Sequence, residues 1–291
     1  NRLIDEFNSI TNMTPELYDQ LVNSKPSDWH DGSLLHRSRE WIDFLHTLNG
    51  KVVTVIPDYD ADGLMSGDTI YAALYALGWT NVNMYYPTLA TGYGLSEESL
   101  EEALTLFPDT EVIITTDNGI KAYAGVKKAK ELGLSVLVTD HHPGVELEPD
   151  ADVIVDPNSF YDDTYPFKSI SGGEVAYKLM VYYAQTYGTV EQLELVQALY
   201  PFAGISAVAD MMEMLDENRF LVKETVKFLS NFVVNQNASA EYLRPFKGLW
   251  AILEELKDNG KLKYGLDADT IGFYISPMLN TSRRVMSTSK Y

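Results

Sequence analysis

The stretch Val52-Val53-Thr54-Val55-Ile56-Pro57-Asp58-Tyr59-Asp60-Ala61-Asp62-Gly63 carries three aspartates at alternate positions, closed by a glycine. Carboxylates so spaced are hard-cation ligands, and D-x-D-x-D-G is how an EF-hand calcium loop opens. That loop needs a bidentate Glu at its twelfth position, which here is Thr69, and a helix in front. The β-branched residues in front instead read as a buried strand. An acidic loop at the carboxyl end of a strand therefore remains. Two more loops of this kind follow: Asp117-Asn118-Gly119 after the strand-like run 111–116, and Asp140-His141-His142 after the run 134–139. Each alone suits a helix cap or a turn. Together, with two adjacent histidines out of five in the chain, they point to a site.

Several Asp and one or two His, with no cysteine anywhere, form a donor set for octahedral oxygen and nitrogen coordination. Manganese or magnesium fits such a set better than zinc. Two ions sharing one carboxylate, ~3.5–4 Å apart, clamp the attacking and leaving oxygens of a phosphoryl displacement. Phosphoester hydrolysis is therefore the chemistry to which the residues point.

The elements that must hold these residues are legible as an alternation. The pattern predicts strands over 51–57, 81–86, 111–116, 134–139 and a short one near 152–156. It predicts helices over 64–77, 96–106 and 121–132, with Gly78 and Gly133 as stops. Strands separated by helices of that length make βαβ units, hence an α/β fold with a parallel sheet flanked by helices. Ligands bind such sheets at the carboxyl ends of the strands, where the three acidic loops fall. Thr14-Pro15-Glu16 reads as a helix start, and the period through Trp41, Leu45 and Leu48 continues to Gly50. Beyond Ser171 the pattern is mostly helical. The expected organisation is a helical lead-in over 1–50, an α/β domain over 51–235 and a helical extension over 236–291.

A chain of 291 residues that is 45% apolar can bury a full core. It has no run near the ~18 apolar residues of a membrane span and no basic or apolar amino-terminal leader, so no membrane partner is expected. The absence of cysteine fits a reducing compartment, and a cytoplasmic location is the expectation. A formal charge of −20 opposes a general polyanion-binding surface, so any nucleic-acid contact must be a local basic patch.

The ordered motifs DYDADG, TTDNGI and VTDHH resemble those of the DHH phosphoesterase superfamily. Within it, TGYGLS at 91–96, ISGGEVAYKL at 170–179, ISAVADMMEMLDENR at 205–219 and ISPMLNTSRR at 275–284 are similar to the RecJ-like branch, and the likeness runs from about residue 50 to 286. The resemblance implies a 5′-to-3′ exonuclease of single-stranded DNA, in repair, recombination or replication, using two manganese or magnesium ions. It implies that Asp60 and Asp117 hold one ion, with Asp58 a further candidate ligand. Asp62, Asp117, His141 and Asp210 would hold the second, which makes Asp117 the bridge. His142 would stand beside the scissile phosphate, stabilising charge or giving a proton to the leaving oxygen. Asn280 and Arg284 match residues of the family's signature, and Arg283 and Arg284 side by side, near Lys290, are the local candidate for a phosphate patch, so these three are the expected substrate contacts.

The sequence departs from the family's pattern in places. Ile56 occupies a position where many relatives have a metal-binding His, which leaves the first ion more dependent on Asp58. Met278 replaces the Arg of the P-R-x-N signature. Thr88 stands where relatives carry an Arg that holds the 5′ phosphate, so a weak preference for phosphorylated ends is expected. The chain opens on Asn1 and stops at Tyr291, within what would be the helix leading to a DHHA1-type domain, and the GGGH box of that domain does not occur. A trimmed piece of a longer protein is the expectation.

Besides the exonuclease, other functions suit the motifs. A DHH phosphodiesterase of short oligonucleotides, cyclic dinucleotides or pAp is favoured by the acidic balance and opposed by the RecJ-type later motifs. A non-catalytic replication scaffold is opposed by the nearly complete ligand set, and a pyrophosphatase stands below both.

Overall fold

The computed structural model describes residue 14 and residues 22–88, 91–161, 164–234 and 241–286; side chains at 232–234, 241–243 and 282–286 lie outside the description. The strands β1 (Val53–Pro57), β2 (Val82–Met84), β3 (Val112–Thr116), β4 (Ser135–Thr139) and β5 (Val153–Val155) pair in parallel, in the order β2-β1-β3-β4-β5. Apart from the short edge strand β2, they are buried on both faces, as a helix-covered parallel sheet requires. Register is the feature that matters for function. Pro57 pairs with Thr116, Thr116 with Thr139, and Thr139 with Val155. The residues that follow, Asp58, Asp117, Asp140 and Asp156, therefore leave the sheet at one level along the same edge.

Ten helices accompany the sheet among the described residues: α1 (Ser38–Thr47), α2 (Ala61–Ala76), α3 (Glu97–Leu106), α4 (Tyr123–Glu131), α5 (Gly172–Tyr187), α6 (Val190–Gln197), α7 (Tyr200–Ala209), α8 (Asp216–Val234), α9 (Lys247–Asp258) and α10 (Ser276–Met286). One face of the sheet packs Ile56, Ile113 and Val136 against Leu100 and Ala103 of α3 and Val126 of α4. The other packs Val55 and Ile114 against Trp41 of α1, Ile70 and Leu74 of α2, Leu179 of α5 and Ile205 of α7. A short helical turn, Ala268–Thr270, and a π-helical stretch, Ile271–Ile275, lead into α10, and Ile271 and Ile275 join that same core. None of the described helices is long and apolar enough to cross a membrane.

The βαβ alternation matches the sequence reading, with boundary differences that have local causes. Helix α2 starts at Ala61 rather than near 64, because the Asp60 carboxylate caps it by accepting from the Gly63 N–H at 3.0 Å. The end of the DYDADG motif is thus the first turn of a helix. Strand β2 is shorter than 81–86. The Trp41 to Leu48 period is α1, but two short 3₁₀ turns, Pro26–Asp28 and Gly32–Leu34, precede it, so the lead-in is not continuously helical. The helix start expected at Thr14-Pro15-Glu16 runs into 15–21, outside the described residues.

The lead-in is tied to the helices by a buried charge. Lys178 of α5 is fully buried and places Nζ 2.6 Å from Glu217 Oε2 of α8, 2.8 Å from the His30 carbonyl and 3.3 Å from the centre of the Trp29 ring. Glu217 Oε1 accepts from the Tyr165 hydroxyl at 2.6 Å. Removing one member leaves the other charge desolvated and unpaired. Lys178→Ala should therefore lower unfolding free energy by about 3–5 kcal/mol, read from the urea midpoint, whereas Lys178→Met combined with Glu217→Leu should cost less than Lys178→Ala alone.

Candidate metal centre

Each strand end supports its acidic loop differently. Asp58 continues β1, its N–H donating to the Thr116 carbonyl at 3.1 Å. Asp117 turns into the left-handed region (φ 60), which Asp tolerates better than most residues. That turn brings Asn118 back onto the sheet, where its Nδ2 donates to the carbonyls of Ile56 at 3.1 Å and Thr116 at 2.9 Å. Asp140 is a buried hub after β4. Its Oδ1 accepts from the N–H groups of His141 (2.8 Å) and His142 (3.1 Å) and meets His142 Nδ1 at 2.8 Å, while Oδ2 accepts from Ile120 N–H at 2.9 Å.

The ligand atoms converge in overlapping groups. Asp58, Asp60 and Asp117 place one ligand atom each within 4.8 Å of one another, and Asp62, His141 and Asp210 do the same, as do Asp117, His141 and His142, the histidines through a ring nitrogen. His141 Nε2 lies 3.0 Å from Asp117 Oδ1, 3.6 Å from Asp62 Oδ2 and 3.6 Å from Asp210 Oδ2. Asp117 is the carboxylate common to the Asp58–Asp60 side and the histidine side. Asp210, the residue that ends α7, is brought in from a helix rather than from the sheet.

Two observations test whether cations fit. His141 Nδ1 lies 2.9 Å from the Ile170 carbonyl, which can only accept, so Nδ1 carries a proton and Nε2 is the ring nitrogen turned to Asp117. Asp117 Oδ1 and Asp58 Oδ1 are moreover buried without a hydrogen-bond donor. Lone pairs facing one another in a buried pocket repel unless a cation or a proton lies between them. The donor set, all oxygen and imidazole nitrogen, fits two divalent ions of the manganese or magnesium type.

Electrostatics agree. Burial, reinforced by Asp60, pushes the Asp58 carboxyl up to about 7, and burial with Asp62 pushes Asp210 up to about 6. Burial and the charges of Asp62 and Asp60 hold Asp117 well above the carboxylate range. At His141, burial alone lowers the pKa, but the carboxylates Asp62, Asp210 and Asp140 outweigh it and the net shift is upward. His142 is raised by its hydrogen bond to Asp140.

All the metal ligands expected from the sequence, Asp58, Asp60, Asp62, Asp117, His141 and Asp210, thus meet at this edge. His142 stands beside them, half-buried, with Nε2 3.0 Å from the Tyr93 hydroxyl. It borders a cleft of about 680 Å³ lined by Tyr93, Ser96, Lys121 and Asp140. Asn280 of α10 is at the site too, its Oδ1 accepting from Ala61 N–H at 2.8 Å, next to Asp60. The side chains of Arg283 and Arg284 lie outside the described residues. Asp140, Tyr93 and Ser206 had been given no roles from sequence. For Asp140 the signal is its place at the head of the DHH triplet, for Tyr93 the two flanking glycines, and for Ser206 its place four residues before Asp210 in ISAVADMM.

Residues 52–225 match the DHH family, N-terminal domain. The chain belongs to the DHH family. This DHH protein is 32% identical over 244 residues to the single-stranded-DNA-specific exonuclease RecJ of Salmonella typhimurium, covering 81% of this chain and 39% of that one. It is 31% identical over 276 residues to the exonuclease of the same name from Bacillus subtilis, covering 94% and 32%. It therefore spans well under half the length of these relatives. A crystal structure of exonuclease RecJ bound to manganese superposes with a TM-score of 0.67 at 28% identity, over 86% of this chain and 58% of that one. RecJ from Thermus thermophilus, in complex with Mn2+, shares the fold with a TM-score of 0.62 at 23% identity, over 88% and 35%.

The raised carboxyls give the metal-free fold a pH dependence of defined sign. A carboxyl held above its unfolded value contributes stability that is complete below that value, near 3.8, and is lost as pH rises through the folded value, about 7 for Asp58. The thermal midpoint without divalent ions should therefore fall by several degrees between pH 5 and pH 8, and added Mn2+ should raise it more at pH 8 than at pH 5. Differential scanning calorimetry at both pH values checks this.

Proposed function

We propose that this DHH protein is a two-metal phosphodiesterase that degrades single-stranded nucleic acid, as a RecJ-like 5′-to-3′ exonuclease of DNA. The observation that carries the reading is the pair of ligand groups, Asp58–Asp60–Asp117 and Asp62–His141–Asp210, linked by the third group Asp117–His141–His142, in which His141 Nε2 lies 3.0 Å from Asp117 Oδ1. The relatives named for single-stranded-DNA exonuclease activity and the manganese-bound neighbour support it. Divalent ions bound there would supply Lewis acidity for a phosphoryl displacement. In that hydrolysis a water oxygen forms the new bond to phosphorus, the bond to the leaving oxygen breaks, and the leaving oxygen takes up a proton.

His142 is the residue placed to provide that proton. Asp140 fixes the ring through Nδ1, so Nε2 is the atom that faces the cleft, and the raised pKa keeps a larger protonated fraction near neutrality. Burial works to raise the Asp140 carboxyl, but the hydrogen bond and charge of His142, together with the N–H groups of Ile120 and His142, outweigh it and hold Asp140 below its ordinary value. The net charge of −20 supports a second reading, a phosphodiesterase of short oligonucleotides or cyclic dinucleotides. End-labelled single-stranded DNA, a short RNA and a cyclic dinucleotide, each incubated with Mn2+ and the full-length protein, distinguish the two. DNA shortened stepwise from its 5′ end is the expected result, and hydrolysis of the cyclic dinucleotide alone would refute it.

Asp117→Ala should abolish turnover and metal binding while the far-ultraviolet circular dichroism stays unchanged. His141→Ala should lose an ion, whereas His142→Ala should keep the metal content of the parent and lose about 10²–10⁴-fold in kcat. Atomic absorption on the purified variants, beside turnover, decides this division of roles.

End selection should be weak. Thr88 is occupied locally, its N–H donating to Thr91 Oγ1 at 2.9 Å while its carbonyl accepts from the Thr91 N–H at 3.1 Å. A neutral turn residue replaces the charge-assisted contact of an Arg. The kcat/KM ratio of 5′-phosphorylated to 5′-hydroxyl oligonucleotide should therefore remain below about a hundredfold, or ~2.7 kcal/mol.

A further inference from the structure

Asp62 differs from the other ligands of the cluster in how completely it is held. It is 2% exposed and sits against the amino terminus of α5. Oδ1 accepts from the Gly173 N–H at 2.9 Å and from the hydroxyl of Ser206, and Oδ2 accepts from the Gly172 N–H at 2.9 Å. A Cβ at Gly172 would stand 2.6 Å from Asp117 Cβ, and one at Gly173 would collide with the Ser206 hydroxyl, so only glycines let the helix end approach so closely. Ser206 is fully buried on α7, one helical turn before Asp210 and on the same face. Its hydroxyl is itself located by the Gly173 N–H at 3.0 Å and by the Ser171 hydroxyl at 2.6 Å.

A carboxylate oxygen has two lone pairs in its plane. Both on Oδ1 are taken, one by an N–H and one by Ser206, whereas Oδ2 has one left, on the side where His141 Nε2 lies 3.6 Å away. We infer that Ser206 is a positioning residue that restricts Asp62 to a single metal-facing oxygen and thereby tunes the site against large cations. The inference rests on the reading of Asp62 as a metal ligand. Calcium takes six to eight oxygens and favours bidentate carboxylates, whereas manganese and magnesium are served by single oxygens in octahedral arrangement. With the Ser206 hydroxyl removed, a lone pair on Oδ1 is released and Asp62 gains the option of binding through both oxygens.

The test measures metal selectivity rather than turnover. In the full-length protein, Ser206→Ala should lower the ratio Kd(Ca2+)/Kd(Mn2+), obtained by titration calorimetry, by about threefold or more relative to the parent. A merely structural role would weaken both ions in parallel, and a smaller change or a rise in the ratio overturns the inference. A crystal structure of the unmutated protein grown with Mn2+ tests it without any substitution: Asp62 should reach the ion through Oδ2 alone, and a bidentate Asp62 would overturn it. Asp62→Ala separates the two levels of the argument. Loss of one ion supports Asp62 as a ligand whatever Ser206 does, and retention of the parent's metal content overturns the metal reading of Asp62 together with the inference built on it.

Discussion

Like charges crowded into a buried edge repel strongly, because little water remains to screen them, and the carboxyl edge of this sheet gathers Asp58, Asp60, Asp62, Asp117, Asp140 and Asp210 in one place. The surroundings relieve that repulsion unevenly. Asp62 receives the amino terminus of α5, with two backbone N–H groups and a hydroxyl, and Asp140 receives three donors from the two histidines. Asp58 and Asp117 keep a buried oxygen each without a donor. Relief is thus withheld where a cation would supply it.

This unevenness separates groups whose polar atoms are all partnered from groups left with a bare one. Asp140 orients both histidines but belongs to none of the ligand groups, and its depressed pKa keeps it a charged anchor for His142. His141 is locked by the Ile170 carbonyl with Nε2 turned to the acids, whereas His142 is turned to Tyr93 and the cleft. Two neighbours in sequence consequently face different chemistry. The reason is geometric: successive side chains past the end of a strand diverge, and each ring is caught by a different acceptor.

The clamps that surround the acids also join distant parts of the chain. Asn280 of α10 caps the amino end of α2 beside Asp60, and Ser206 of α7 holds Asp62 of α2. Lys178 of α5 bonds Glu217 of α8 and the His30 carbonyl of the lead-in. Each contact fixes a helix whose end or face lies at the site. Ligand placement at the edge is therefore a property of the helical layers as much as of the sheet.

The alternation of β-branched runs with helical periods was sufficient to establish a parallel α/β sheet, because burial on both faces leaves an apolar signature in every strand but the edge strand β2. The acidic loops were legible for a related reason: the residue after a parallel strand must emerge at the carboxyl edge. Register, the union of three loops at one level, was not legible, since strand pairing depends on contacts made across tens of residues. Nor was the start of α2 at Ala61, which depends on caps from Asp60 and from the remote Asn280. Which histidine faces the acids was decided by the Ile170 carbonyl, and the hold on Asp62 by Ser206, more than a hundred residues away. Local pattern determines what an element is and what chemistry its end can carry, whereas the partner of each polar atom is chosen only when the layers close.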